Sequence, residues 1–206
     1  MARTWVAISL GLLAAVGVAR AEVMAEALPA EQIQLYAPIA KQLIQEQFPN
    51  PPIKVDSDPA RTFGYHVQEK IGVFVMPDRA ISPAAVKDPG DKSVPVALLV
   101  TKDLSIREKD TPVPPTRLAV ADLNGQIKLP VFYVAVRAQG DDRIVDVYSR
   151  EAKPLASIAA KKLAAAPDEP VGLKLSGVDL EKKQANAILT VAGGYEATLP
   201  LGVIEP

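Results

Sequence analysis

Apolar residues recur at helical spacing near the start of the chain. Five residues of the segment PAEQIQLYAPIAKQLIQEQF share one helical side: Ile33, Tyr36, Ala40, Leu43 and Ile44. The segment PNPP at 49–52 ends this pattern, because a residue that precedes proline avoids helical backbone angles. The spacing therefore predicts an N-terminal amphipathic helix over 29–48.

From residue 53 onward the pattern changes to short apolar segments separated by proline, glycine and aspartate. Segments of this kind, rich in valine, isoleucine, tyrosine and phenylalanine, are typical of β-strands. They predict strands at 53–56, 62–68, 71–76, 94–101, 117–122, 127–137, 143–148, 171–176, 185–192 and 195–203. The dipeptides Asn124-Gly125 and Gly193-Gly194 predict tight hairpin turns, because such turns need positive φ angles. A third turn is expected at 140–142.

A second helix is predicted over 154–166, PLASIAAKKLAAA, which places Leu155, Ile158 and Leu163 on one side. Strands outnumber helices and do not alternate with them, which argues against a parallel βαβ sheet. We therefore expect an α+β fold that is mainly antiparallel β. Its form would be a sandwich or a curved sheet, with an N-terminal amphipathic helix and one further short helix.

The first residues have the pattern of an export signal. The segment MARTWVAISLGLLAAVGVARA has a positive residue at Arg3, an apolar run at 5–19 and the small-x-small sequence Ala19-Arg20-Ala21. The apolar run is shorter than the roughly 20 residues that a membrane-spanning helix needs. We therefore expect a cleaved signal peptide and no membrane insertion after cleavage; the alternative is an uncleaved N-terminal anchor.

The expected organisation follows from these boundaries. Residues 1–21 are the predicted signal peptide, 22–28 a flexible lead and 29–206 one mainly β domain. The proline-rich segment 107–116, REKDTPVPPT, is either a linker between two subdomains or an ordered loop. A secreted or periplasmic location is expected from the signal.

Composition excludes several kinds of chemistry. The chain has no cysteine, which rules out thiol catalysis, disulfide exchange and cysteine-ligated metals. Its net charge is −1 and it has no cluster of lysine and arginine, so neither nucleic acid nor an anionic membrane surface is an expected partner. Serine-nucleophile motifs and phosphate-binding glycine loops are also missing. We expect no cofactor, no bound metal and no catalytic residue.

The only histidine, His66, lies in the segment TFGYHVQEKIGVFVMP. A strand period of two places Phe63, Tyr65 and Val67 on one face and His66 with Gln68 on the other. We interpret His66 as an exposed strand residue, since a zinc site without a second histidine or a cysteine is uncommon.

One cluster of candidate binding residues follows from strand pairing. If the strands at 131–137 and 143–148 are joined by a short loop, Tyr133 faces Tyr148 and Arg137 lies diagonal to Asp146 on the same face. A shift of register by one residue would send Tyr148 and Asp146 to the opposite face. The four side chains either stabilise the hairpin or form a polar-aromatic surface for a ligand.

The function expected from the sequence is an exported, non-catalytic binding module for a protein or envelope component. Exposed strand edges that can accept a partner strand and the lack of catalytic motifs support this expectation. One alternative is a carboxylate-dependent hydrolase, which would be indicated by two buried carboxyl groups with raised pKa values. The other alternative is a structural subunit of an envelope assembly. An exposed apolar patch would favour either the binding module or the assembly subunit.

Overall fold

The computed structural model describes residues 25–68, 71–90, 92–179 and 181–204. These residues form a mostly antiparallel β-sheet that curls into a half-barrel, together with two α-helices. The predicted fold class, α+β with a curved sheet and an N-terminal helix, is confirmed. The predicted signal peptide at 1–21 lies outside the described residues.

In chain order the elements are β1 (Glu26–Ala27), α1 (Ala30–Gln47), β2 (Phe63–Val67), β3 (Ile71–Pro77), α2 (Pro83–Lys87), β4 (Val94–Lys102), β5 (Leu104–Glu108), β6 (Thr111–Pro112), β7 (Ala119–Leu123), β8 (Ile127–Gln139), β9 (Asp142–Tyr148), β10 (Ala156–Lys162), β11 (Val171–Asp179), β12 (Gln184–Val191) and β13 (Tyr195–Val203). Two short 3₁₀-helices occupy Pro59–Arg61 and Pro115–Arg117. The main strand order is β1-β2-β3-β4-β8-β9-β10-β13-β12-β11. Strand β7 pairs with β8, and β5 pairs with β13 and β6.

The predicted turns are confirmed by their backbone angles. Asn124, Gly125, Gly193 and Gly194 all have positive φ, and so does Gly140 in the turn between β8 and β9. These turns set the register of the hairpins that they close.

The predicted helix over 154–166 is wrong, because most of this segment forms strand β10. Ile158 pairs with Val145 of β9, and Ala156, Ile158 and Ala160 alternate toward the main core while Ser157, Ala159 and Lys161 are exposed. Alanine and lysine favour helices by only tenths of a kcal/mol per residue. Pairing with the sheet outweighs that preference. The further short helix lies instead at Pro83–Lys87, capped by the Ser82 hydroxyl, which accepts from the Ala85 N–H.

Three further differences concern short segments. Residues 53–56 do not form the predicted strand, and only an isolated bridge joins the next residue, Ser57, to Asp78. Glu26 and Ala27, in the predicted lead, pair with β2 as strand β1. Segment 107–116 carries a small hairpin in which Arg107 pairs with Pro112, made by β5 and β6, which the pattern did not predict.

The sheet buries apolar side chains on both faces. The larger cluster fills the inside of the curl and includes the fully buried Phe132 and Leu189. A smaller cluster lies on the outer face beneath α1 and includes Leu98, Tyr133 and Ile44 of the helix. Helix α1 itself buries only Ala37 and Ile44. It therefore covers the outer face incompletely and leaves a depression on each of its sides.

Candidate functional site

The predicted pairing of β8 with β9 is confirmed. Tyr133 pairs with Tyr148, and Ala135 pairs with Asp146, which places Arg137 diagonal to Asp146 on the outer face. The Arg137 Nε donates to the Asp146 Oδ2 at 2.7 Å. The Ser157 hydroxyl of β10 donates to the Asp146 Oδ1 at 2.5 Å. The Asp146 carboxylate is thus held from both sides.

Burial limits what these four residues offer to a ligand. Asp146 is 1% exposed and both tyrosines are buried, whereas the Arg137 side chain remains 38% exposed. Burial raises the pKa of the Tyr148 hydroxyl, and the negative charge of Asp146 raises it further. A ligand approaching this patch from solvent would contact mainly Arg137. The predicted binding role of the four residues remains a prediction.

Tyr133 also lines a second feature, which we call the Tyr133 cleft. It is a cavity of about 860 Å³ between the C-terminal half of α1, the loop at 49–57 and strands β4 and β8. Its walls include Lys41, Ile44, Phe48, Ser57, Leu98 and Tyr133. The walls come from segments far apart in the sequence, so no local motif marks this cleft.

The Tyr133 cleft contains buried hydroxyl groups without partners. Among the described residues, the buried side-chain polar atoms that lack a hydrogen bond are the Ser57 Oγ, the His66 Nδ1 and the Tyr133 hydroxyl. Ser57 and Tyr133 are only 1% and 3% exposed, and both line the cleft. Beside them, the Lys41 Nζ donates to the Ser57 carbonyl and to the Asp56 Oδ1. A buried polar group without a partner costs folding free energy, so a ligand that bonds to it would recover that cost.

Burial raises the pKa of the Tyr133 hydroxyl to about 12. The phenol is therefore protonated at neutral pH and available as a donor.

Replacing Tyr133 with phenylalanine should stabilise the protein by about 1 kcal/mol, because the variant no longer buries an unsatisfied hydroxyl. The gain should grow at high pH. The unfolded-state pKa of tyrosine is about 10 and the folded-state pKa is about 12, so the wild type loses stability as pH rises through that window. Urea unfolding at pH 8 and at about pH 11 measures both effects. A destabilised variant with the same pH dependence as the wild type would contradict this account.

On the other side of α1 lies an apolar depression, the His66 groove. It has a volume of about 540 Å³ and runs between residues 32–43 of α1 and strands β2, β3, β4, β7 and β8. Its walls include Tyr36, Ile39, Leu43, His66, Phe74 and Ile127.

His66 is less exposed than the sequence pattern predicted. The period of two correctly gives it a face opposite to that of Val67, but strand β1 pairs directly with it through Glu26. Its side chain is 21% exposed, and its Nε2 lies 4.0 Å from the Glu26 Oε2. Its Nδ1 is buried without a partner. The expectation of an ordinary exposed histidine is therefore wrong, because β1 and α1 cover that face.

The exposed large apolar side chains gather around this groove. Leu35, Tyr36, Ile39 and Ile127 are between 44% and 59% exposed, and no other large apolar side chain of the described residues is as exposed. Tyr36, Ile39 and Ile127 line the groove, and Leu35 lies one helical turn from Ile39. Single exposed apolar residues are normal, whereas a cluster of them is a feature that interaction surfaces commonly have.

The buried carboxylates have structural partners. Asp78 accepts hydrogen bonds from the backbone N–H groups of Asp56 and Ala80, both at 2.8 Å. Asp146 is paired with Arg137 and Ser157.

Within the described part of the chain, no cluster of three or more histidine, aspartate or glutamate residues is arranged to hold a metal ion. No described helix combines the length and apolarity required to cross a membrane.

Comparison with protein-family models, with curated proteins and with solved structures finds no significant match to this chain.

Proposed function

We propose that this chain is an exported, non-catalytic binding module whose His66 groove takes an apolar segment of a protein partner. The observation that carries the proposal is the clustering of Leu35, Tyr36, Ile39 and Ile127 around one groove. Export to the periplasm or the exterior is part of the proposal and rests on the predicted signal peptide at 1–21.

The shape and chemistry of the groove fit a peptide better than a lipid chain. An amphipathic segment binds such a groove through apolar side chains spaced three or four residues apart. The unpartnered His66 Nδ1 adds a polar group to the apolar walls. A peptide can bond to this nitrogen through its backbone or a polar side chain, whereas an acyl chain would leave it unpaired.

Energetics indicate that the whole groove must be filled. Complete burial of a large apolar side chain contributes about 1.5–3 kcal/mol. Leu35, Tyr36, Ile39 and Ile127 are already about half buried, so covering all four contributes roughly 3–6 kcal/mol. Association itself costs about 4 kcal/mol or more. The partner must therefore also insert apolar side chains between α1 and the sheet.

The test is a selection of displayed amphipathic peptides on the full chain, followed by fluorescence polarisation with the selected peptides. We expect binders whose affinity falls about tenfold or more in the Ile39→Asp variant, because the charge enters the apolar contact. Gln34→Asp is the matched control: it adds the same charge to an exposed position of α1 that does not line the groove. Its affinity should stay close to that of the wild type.

Three results would overturn the proposal. The first is a selection that yields no binder, or binders that are indifferent to Ile39→Asp. The second is stronger, Ile39-dependent binding to vesicles of phosphatidylethanolamine and phosphatidylglycerol, which would make a lipid surface the partner. The third is a dimer of the chain that Ile39→Asp dissociates, which would make a second copy the occupant of the groove.

A further inference from the structure

We propose that the Tyr133 cleft is a separate ligand site that binds a small organic carboxylate with an apolar body. It lies on the other side of α1 from the His66 groove and is lined by different side chains, so the inference goes beyond the proposed function.

The lining of the cleft offers hydrogen-bond donors. The Tyr133 hydroxyl and the Ser57 Oγ are buried and unpartnered, and both residues line the same cavity. A phenol that is protonated at neutral pH donates readily, and a serine hydroxyl can rotate to donate as well. Two hydroxyl donors in one pocket match the two oxygens of a carboxylate, and hydrogen bonds to a charged acceptor are stronger than neutral ones.

The charge of the cleft lining also favours an anionic ligand. Lys41 and Lys54 line the cleft, and Asp56 is the acidic residue beside them. Asp56 is already engaged, since its Oδ1 lies 3.4 Å from the Lys41 Nζ and its Oδ2 lies 4.0 Å from the Arg79 Nε. The lining therefore carries more positive than negative charge. The Lys41 ammonium has three donors and makes two described hydrogen bonds, which leaves one for a ligand.

The size of the cavity and the apolarity of its remaining walls favour a ligand with an apolar body. Ile44, Phe48 and Leu98 of β4 line a cavity of about 860 Å³. This volume falls in the range of small-molecule sites, which are mostly apolar with a few polar groups that fix orientation. An aliphatic or aromatic body would pack on these walls while its carboxylate reaches the hydroxyls. Inorganic phosphate has no such body and is expected to bind poorly.

The experiment is calorimetric titration of the full chain with benzoate, octanoate and decanoate. Benzamide and octanamide, which have the same bodies without the charge, and inorganic phosphate are titrated in parallel. We expect at least one carboxylate to bind with a dissociation constant below about 1 mM. Tyr133→Phe and Ser57→Ala, which each remove only a hydroxyl, should weaken this binding about tenfold.

Two control variants make the result specific. Tyr148→Phe removes the hydroxyl of the tyrosine that pairs with Tyr133 but does not line the cleft, so the affinity should be unchanged. Ile39→Asp disables the His66 groove and should also leave carboxylate binding unchanged, which separates this inference from the proposed function. Because Tyr133→Phe is expected to be more stable than the wild type, its loss of binding cannot be attributed to unfolding.

Each remaining outcome overturns the inference. Binding that is absent for all three carboxylates, equal for the amides, or seen only with phosphate excludes the proposed ligand class. Carboxylate binding that survives Tyr133→Phe and Ser57→Ala places the ligand elsewhere on the chain.

Discussion

Replacing Arg137 with alanine should lower the free energy of unfolding by about 3 kcal/mol. Asp146 is 1% exposed and accepts from the Arg137 Nε at 2.7 Å. Truncation leaves this buried carboxylate with only the Ser157 hydroxyl as a partner. Removing one member of a buried ion pair costs about 3–5 kcal/mol. The lower end applies here, because the half-exposed position of Arg137 lets water approach the carboxylate after truncation.

The matched control is Arg117→Ala. Arg117 Nη1 lies 2.6 Å from the Glu108 Oε2, which is closer than the Arg137–Asp146 pair, but the two side chains are 46% and 51% exposed. Exposed pairs contribute little to stability because water screens their charges, so this variant should unfold almost like the wild type. Urea unfolding of both variants decides whether burial or distance controls the contribution.

A double variant tests the same point from the other direction. Arg137→Met combined with Asp146→Leu removes both charges and keeps most of the side-chain volume. Replacement of a buried pair by apolar residues is often neutral, so the double variant should recover most of the stability lost in Arg137→Ala. The contrary result is that Arg137→Ala lowers the free energy of unfolding no more than Arg117→Ala does. In that case Arg137 does not stabilise the buried Asp146 carboxylate, and this explanation is wrong.

The Arg137–Asp146 contact could be predicted from the sequence because it depends on local information. A hairpin with a short turn at 140–142 has its register set by that turn, and the register places Tyr133 opposite Tyr148. Helix α1 was predictable for a similar reason, since its spacing and the prolines after it lie within one segment. The local sequence pattern of the hairpin and of the helix did not indicate which other elements they pack against.

Strand β10 shows where the local signal fails. The run PLASIAAKKLAAA contains strong helix formers, and its apolar residues fit a helical period as well as a strand period. Ser157 is the residue that distinguishes the two. In the strand it lies opposite Asp146 and donates to its carboxylate, a contact with a residue of another strand that the segment alone does not reveal.

Both proposed binding sites were missed because their walls are assembled from distant segments. The His66 groove had one usable signal: Leu35 and Ile39 are apolar but lie beside the Ile33, Ala40 and Ile44 stripe rather than within it. A helix that is apolar over more than its core-facing stripe has surface left for another contact. The Tyr133 cleft had no comparable signal. Ser57 follows a segment predicted as a strand, and only the folded chain brings it to the cavity that Tyr133 also lines.

The strongest effect is expected from Phe132→Ala, which should lower the free energy of unfolding by about 4 kcal/mol. Phe132 is adjacent to Tyr133 on β8 but points to the opposite face, into the main cluster inside the curl. It is fully buried and pairs with Leu99 of β4. Removing a buried phenyl ring costs its transfer free energy and leaves a cavity, together about 3–5 kcal/mol.

The comparison variant is Phe63→Ala. Phe63 packs edge-on against Tyr65 with a ring-centroid distance of 6.3 Å, but it is only partly buried near the end of the sheet. Because its site opens to solvent, no closed cavity forms, and the cost should be about half that of Phe132→Ala. Equal costs would mean that the inside of the curl is not the tightly packed core of this protein. If Phe132→Ala costs more than Phe63→Ala, as expected, two adjacent residues of β8 have opposite effects on stability. Phe132 stabilises the main core, whereas the buried hydroxyl of Tyr133 lowers stability.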